Sequence, residues 1–463
     1  MTRKKKRRLR IRLPKLNLNT SAGSSGTAPV RKHKRKRRRF RLKKEAYMVL
    51  AGIAAILALI FIPRAIDNSN LKKLGYDKAT IKNIREQKLT KTILSNEWYS
   101  NYLAQAINDG TLNKDYTELY TVVTPQRGLN DTDFLLYGRL KDKGYSDKQL
   151  LNLYNKLRFT DLTPLLVFDY QSDESAYIAD AQAHMSDNDA DHFELDGTYY
   201  TPYENTRAVD DPSSLSMLVN KTYYLDESYV PDNLTGLSNL YAAPDRELAG
   251  VAAEALAEWC NGGRANDVYF YATSAYRPYE AQEELYEGYI KSMGQEQTDA
   301  VSARPGFSEH QTGYTVDLAA THEDNAADFS ETRAYRWANE HCWEYGWLLR
   351  YPDGKTSITN YEYESWHYRY VGKDVAAAVH ASGLTFDEFY MLYLKPWDNE
   401  SNMPSEAILA STDYTKLIPA QTAPEEETVP ETTGEPESPA PAETEAPEET
   451  EVPEASASPE TNG

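Results

Sequence analysis

The stretch SEHQTGYTVD, Ser308 to Asp317, places a histidine and an aspartate seven residues apart with Gly313 between them. Imidazole and carboxylate are ordinary ligands of a divalent metal. A catalytic zinc site takes three such protein ligands and keeps a further position open. His310 and Asp317 could supply two. A distant segment would have to supply the third, with a carboxylate near it to act as base. YEYESWHYRYVG offers both: His367, and Glu364 three residues earlier. The chemistry of such a set is hydrolysis. A metal lowers the pKa of water and polarises a carbonyl, and a carboxylate moves the proton. Either pair alone is more often part of an ordinary polar turn or strand than of a metal site.

The elements around these residues decide which way they point. Alternation along YTVDL puts Thr315 and Asp317 on one face of a strand and Tyr314, Val316 and Leu318 on the other. In SWHYRY, His367 shares a face with Arg369, and Trp366, Tyr368 and Tyr370 point the opposite way. Glu364 and His367 have an odd separation, so a straight strand would turn them apart. A base at Glu364 therefore requires a bend or bulge near Ser365. Gly313 permits a tight turn between His310 and the Asp317 strand. Nearby, RELAGVAAEALAEWCNGG predicts an amphipathic helix closed by Gly, and DVYFYATSAYR a strand rich in aromatic and β-branched residues. YEAQEELYEGYIKSM predicts a second helix, and ETRAYRWANEHCWEYG a third that ends at Gly346. Long helices separated by short strands predict an α+β layer arrangement over 211–395.

The rest of the chain reads as supports and tails. LKKLGYDKATIKNI, from Leu71, and LKDKGYSDKQLLNL, from Leu140, share one pattern. Each has a helix end, a Gly stop, a Tyr, and an Asp or Ser that caps the next helix. Residues 68–165 are thus expected to form an all-α spacer or stalk. Residues 166–210 read as a polar linker. Its HMSDNDADH holds His184, Asp189 and His192, and is expected to be a solvated loop rather than a metal site. Residues 421–463 hold 13 Glu with no Lys or Arg, and predict a disordered acidic tail. The two cysteines, Cys260 and Cys342, could form a disulfide or remain as two buried thiols.

Charge is strongly polarised. Of 51 Lys and Arg, 20 precede Glu45, although the chain as a whole carries a net charge of −19. Basic runs such as RKHKRKRRRF suit nucleic acid or anionic lipid. The next segment favours lipid: Ala46–Ile62 is an apolar run of 17 residues, roughly 26 Å as a helix. The expected arrangement is a basic cytoplasmic tail (1–45) and an uncleaved signal anchor (46–63), with the remainder outside. FIPRAIDNSN offers no A-x-A site for cleavage. No nucleic-acid partner is expected.

Four stretches, SAYRPYEAQ, ARPGFSEHQTGYTVDL, EYGWLLRYPDGK and YESWHYRYVG, together resemble the VanY-type D-alanyl-D-alanine carboxypeptidases. These are zinc enzymes that trim peptidoglycan stem peptides. The similarity covers about Leu215 to Tyr393, with LVNKTYYLDESYVPDNL resembling the opening of that domain. It implies a hedgehog-like zinc D,D-peptidase domain, with a small antiparallel sheet flanked by helices. By the same resemblance His310, Asp317 and His367 match zinc ligands, and Glu364 the catalytic base. Arg277 matches the cation that holds substrate or stabilises the oxyanion, and Gln282 and Ser308 match substrate contacts. Relatives often carry His where this chain has Phe307, a position that is not a ligand in the family. The implied activity is release of a C-terminal D-alanine, by D,D- or L,D-cleavage. A crossbridge endopeptidase and a non-catalytic wall-binding scaffold are the alternatives.

Overall fold

Four short strands form one antiparallel sheet: β1 (Phe270–Ser274), β2 (Thr315–Ala320), β3 (Trp347–Leu349) and β4 (His367–Tyr370), in the order β1-β2-β4-β3. The computed structural model describes residues 44–168, 173–184, 194–321 and 328–396. The basic head before Lys44, Asp189, His192, His322 and the acidic tail lie outside the described residues.

Period-two alternation gives the sheet a greasy face and a chemical face. Phe270, Ala272, Val316, Leu318, Trp347, Tyr368 and Tyr370 enter a core with Trp259 and Leu256 of the Gly250–Ala265 helix and Ala334 and Ala338 of the Arg333–His341 helix. Trp259 is the hub. Its ring lies 5.1 Å from Phe270, 5.7 Å from Trp347 and 5.0 Å from Tyr368. Asp317, His367 and Arg369 project from the opposite face.

The Gly250–Ala265 helix differs from its expected form at both ends. Glu247–Ala249 pairs as a strand with Leu234–Gly236, so the helix starts only at Gly250. It then runs through Gly262 and Gly263 instead of stopping there. These glycines provide close approach: a Cβ at Gly263 would lie 2.8 Å from the Phe270 ring, and one at Gly262 would strike the Tyr345 hydroxyl. The third helix ends as expected, through a turn at Cys342–Tyr345 and left-handed Gly346. Cys260 and Cys342 are buried free thiols, and burial pushes both up to about 12.

The repeated helical unit forms twice. The Lys44–Leu74 helix ends before Gly75 (φ 121°), and Asp77 then caps the next helix by accepting from Thr80 N at 2.7 Å. The Asp131–Asp142 helix ends before Gly144 (φ 107°), and Ser146 with Gln149 closes a capping box. Tyr76 and Tyr145 are both buried. Two expectations need correction. Part of the stretch read as a linker is a helix, Glu174–Ala183, which buries Tyr177, Ile178 and Ala181. The helical region is also no free stalk. Leu136, Leu165, Leu166 and Tyr177 share one core with Val219, Phe386, Phe389 and Leu392.

The Lys44–Leu74 helix contains an apolar window of mean hydropathy 2.4, none of it buried inside the protein. Among the described residues it is the one helix long and apolar enough to cross a membrane.

Candidate metal centre

Strand register sets the site. Asp317 on β2 stands directly opposite His367 on β4, and Thr315 opposite Arg369. Directly opposed residues share a face with their Cβ atoms about 5 Å apart. His310 arrives from the turn Glu309–Thr312 just before β2, which ends at left-handed Gly313 (φ 72°). A Cβ at Gly313 would lie 2.8 Å from the Pro231 side chain, so the glycine also meets a space requirement.

The three side chains converge. His310 Nε2 lies 3.3 Å from Asp317 Oδ2, and His367 Nδ1 lies 3.4 Å from Asp317 Oδ1. One ligand atom from each falls within 4.8 Å of the others. The outer nitrogens are anchored. His310 Nδ1 donates to the Ala275 carbonyl at 2.7 Å, which leaves Nε2 as the lone-pair atom facing the site. His367 Nε2 donates to Glu309 Oε2 at 3.4 Å. Asp317 Oδ1 is buried with no hydrogen-bond partner among the described residues. A buried carboxylate oxygen without a donor is costly, and a cation would satisfy it. Two imidazoles and a carboxylate, each with a free lone pair turned inward, fit zinc.

Glu364 stands beside the three. Ser365 and Trp366 form a turn closed by His367 N donating to Glu364 O at 3.3 Å, the bend that the odd spacing requires. Glu364 Oε2 then lies 3.3 Å from His367 Nδ1. Arg277 follows β1 and reaches the same face, 3.9 Å from Asp317 Oδ2. Its guanidinium donates to Gln282 Oε1 and Ser274 Oγ, each at 2.8 Å. Gln282 is 1% exposed, and its amide nitrogen donates to Ala303 O at 2.7 Å. Ser308 is buried, and its hydroxyl accepts from His310 N at 3.3 Å. Phe307 packs against Tyr203 and Tyr224, with ring centroids at 5.0 and 5.6 Å.

Two further histidines, His184 and His341, stay apart from this group. His341 pairs with Glu344 at the surface. His184 lies 3.6 Å from both Asp180 and Asp196. There the Asp180 carboxylate already accepts the backbone N–H groups of Asp196 and Gly197.

Sequence reasoning missed Glu309, which sits between two residues that it named. Glu309 is fully buried. Its Oε1 accepts from Arg350 Nε at 2.8 Å and Arg369 Nη1 at 2.9 Å. Burial would raise this carboxyl, yet the two guanidiniums and His367 hold it below the usual range. A usable signal was present. Arg369 shares the inward face with His367, and a charged residue on a buried face demands a counter-charge.

The VanY family model, described as D-alanyl-D-alanine carboxypeptidase, matches residues 245–373. The chain is 30% identical over 220 residues to the Bacillus subtilis protein YodJ, whose name assigns it to the carboxypeptidases, covering 45% of this chain and 80% of that one. It is 34% identical over 138 residues to a D-alanyl-D-alanine carboxypeptidase of Enterococcus faecalis, covering 28% of this chain and 50% of that one. A crystal structure of the vancomycin-resistance D,D-pentapeptidase VanY in complex with Zn(II) is 31% identical, with a TM-score of 0.34, covering 39% of this chain and 99% of that one.

Proposed function

This chain belongs to the VanY family of D-alanyl-D-alanine carboxypeptidases, and we propose that it is a membrane-anchored zinc carboxypeptidase that removes the C-terminal D-alanine of peptidoglycan stem peptides. One observation carries the reading: the β2–β4 register sets Asp317 against His367, His310 closes on them, and Glu364 stands alongside.

In this reading His310, Asp317 and His367 hold zinc. When bound, zinc lowers the pKa of water and polarises the scissile carbonyl. Glu364 accepts the proton of the attacking water and returns it to the leaving amine. Arg277 offers a fixed cation to the developing oxyanion or to the free carboxylate of the substrate. Gln282 and Ser274 set its direction. Gln282 and Ser308 complete the substrate side, Gln282 through Arg277 and Ser308 through the turn that carries His310. The Lys44–Leu74 helix is the anchor, with the basic head on the cytoplasmic side and the zinc site outside.

The test uses the full chain in detergent, loaded with zinc, and stem pentapeptide and tetrapeptide in parallel. Release of D-alanine from the pentapeptide alone marks a D,D-carboxypeptidase. Release from the tetrapeptide alone marks an L,D-carboxypeptidase. Release from neither, with zinc bound, rejects the carboxypeptidase reading.

A further inference from the structure

The family match ends at residue 373, yet the polar chain behind His367 does not. Glu309, which takes the outer nitrogen of His367, shares Arg350 with a second carboxylate. Arg350 Nη1 donates to Asp387 Oδ2 at 2.6 Å and Nη2 to Asp387 Oδ1 at 3.1 Å, a two-pronged fork. Asn220 Nδ2 adds a third donor to Asp387 Oδ1 at 2.8 Å. Arg350, Glu309 and Asp387 are all essentially excluded from water. With Arg369 on Glu309, two carboxylates meet two guanidiniums, and the cluster is electrically balanced.

Asp387 lies in the single-turn helix Phe386–Phe389, and that turn is gripped from its other side. The next residue, Glu388, accepts from Thr163 Oγ1 of the N-terminal helical region at 2.6 Å. Its second oxygen closes a capping box on Thr385, with N and Oγ1 both at 2.9 Å. Phe386 and Phe389 enter the core shared with Leu162, Leu165 and Leu166. Adjacent residues of one turn therefore touch two different parts of the molecule: Glu388 the helical region, Asp387 the layer behind the metal ligands.

We propose that Asp387 is a positioning residue for the metal centre and that the helical region, by clamping the turn that carries it, sets how firmly His367 is held. Without Asp387, the Arg350 guanidinium turns its unbalanced charge on Glu309 and draws that carboxylate from His367 Nε2. A ligand histidine whose outer partner is lost binds metal about 10- to 100-fold more weakly. This inference rests on the zinc reading above.

The experiment takes the full chain in detergent as wild type, D387N, T163V and T163S. Four quantities are measured: zinc affinity by chelator competition, the visible spectrum of the cobalt-substituted protein, kcat and KM for D-alanine release, and thermal unfolding. D387N should bind zinc about 10-fold more weakly or worse, shift the cobalt bands, and lose kcat with little change in KM. T163V should move affinity and spectrum the same way, by at most about 10-fold, the scale of one hydrogen bond. T163S, which keeps the hydroxyl, should restore both. A cooperatively folded D387N with wild-type zinc affinity and cobalt spectrum overturns the proposal. If D387N does not fold, the Thr163 pair decides: T163V matching wild type overturns it, and a T163V shift reversed in T163S upholds it. A wild-type chain that takes up neither zinc nor cobalt overturns the zinc reading and this inference together.

Discussion

Replacing Glu364 by Gln keeps the shape of the side chain beside His367 and removes its capacity to take a proton. Glu364→Gln should retain zinc while turnover falls about 10²- to 10⁴-fold; equal turnover in the variant would dismiss Glu364 as the base. His310→Ala removes a ligand atom outright, so elemental analysis should find the metal lost. Glu309 adds a pH signature. Its carboxyl is held below its unfolded value of 4.5, against the effect of burial, by Arg350, Arg369 and His367. Its contribution to stability is therefore complete above pH 4.5 and declines as pH falls below it. Unfolding midpoints measured from neutral pH downward should drop more steeply in wild type than in Glu309→Gln. His310, Asp317 and His367 could be singled out because metal chemistry restricts residue type, whereas the odd spacing of Glu364 and His367 spoke against a straight strand, and the turn at Ser365 and Trp366 supplies the bend that the reading needed. Glu309 was not legible. Its partners Arg350 and Arg369 lie 41 and 60 residues away, and only the folded sheet brings them together.

At the level of elements, Gly313 and Trp259 bear the most specific loads. Gly313→Ala forces a left-handed backbone onto a residue with a Cβ, about 1–2 kcal/mol, and presses that Cβ against Pro231. The turn holding His310 should shift, so melting temperature and zinc retention should fall together; a variant matching wild type in both would show that the turn tolerates the side chain. Trp259→Ala empties the centre of the aromatic cluster and should cost about 3–5 kcal/mol by denaturant titration. Alternation made the inward and outward faces of β2 and β4 readable, because each has one buried apolar face. The Glu174–Ala183 helix was hidden, since its buried side chains are only Tyr177, Ile178 and Ala181 among acidic neighbours. Gly262 and Gly263 read as a helix stop because sequence cannot show that the Phe270 and Tyr345 rings lie against them.

The whole molecule is more tightly joined than its composition suggests. A segment cut to residues 211–396 would expose Phe386, Phe389 and Leu392, which the helical region now covers. Such a fragment should aggregate or unfold well below the melting point of the full chain; a soluble fragment with the same melting curve would mean that the shared core contributes little. The apolar run and the basic head were legible from composition alone. The shared core was not, because its two halves are separated along the chain and each looks like the buried side of an ordinary helix.

The Lys44–Leu74 helix continues past the apolar run with Pro63 at the junction, and its last turn, at Leu71, is already buried in the helical core. As an anchor it therefore behaves as a mast rather than a leash. From Pro63 to Leu74 it rises only about 18 Å at the helical pitch. If the helix is the proposed anchor, a peptidase mounted this way would reach only a thin slab of wall next to the bilayer, and would move through the wall only as fast as the mast drifts in the lipid.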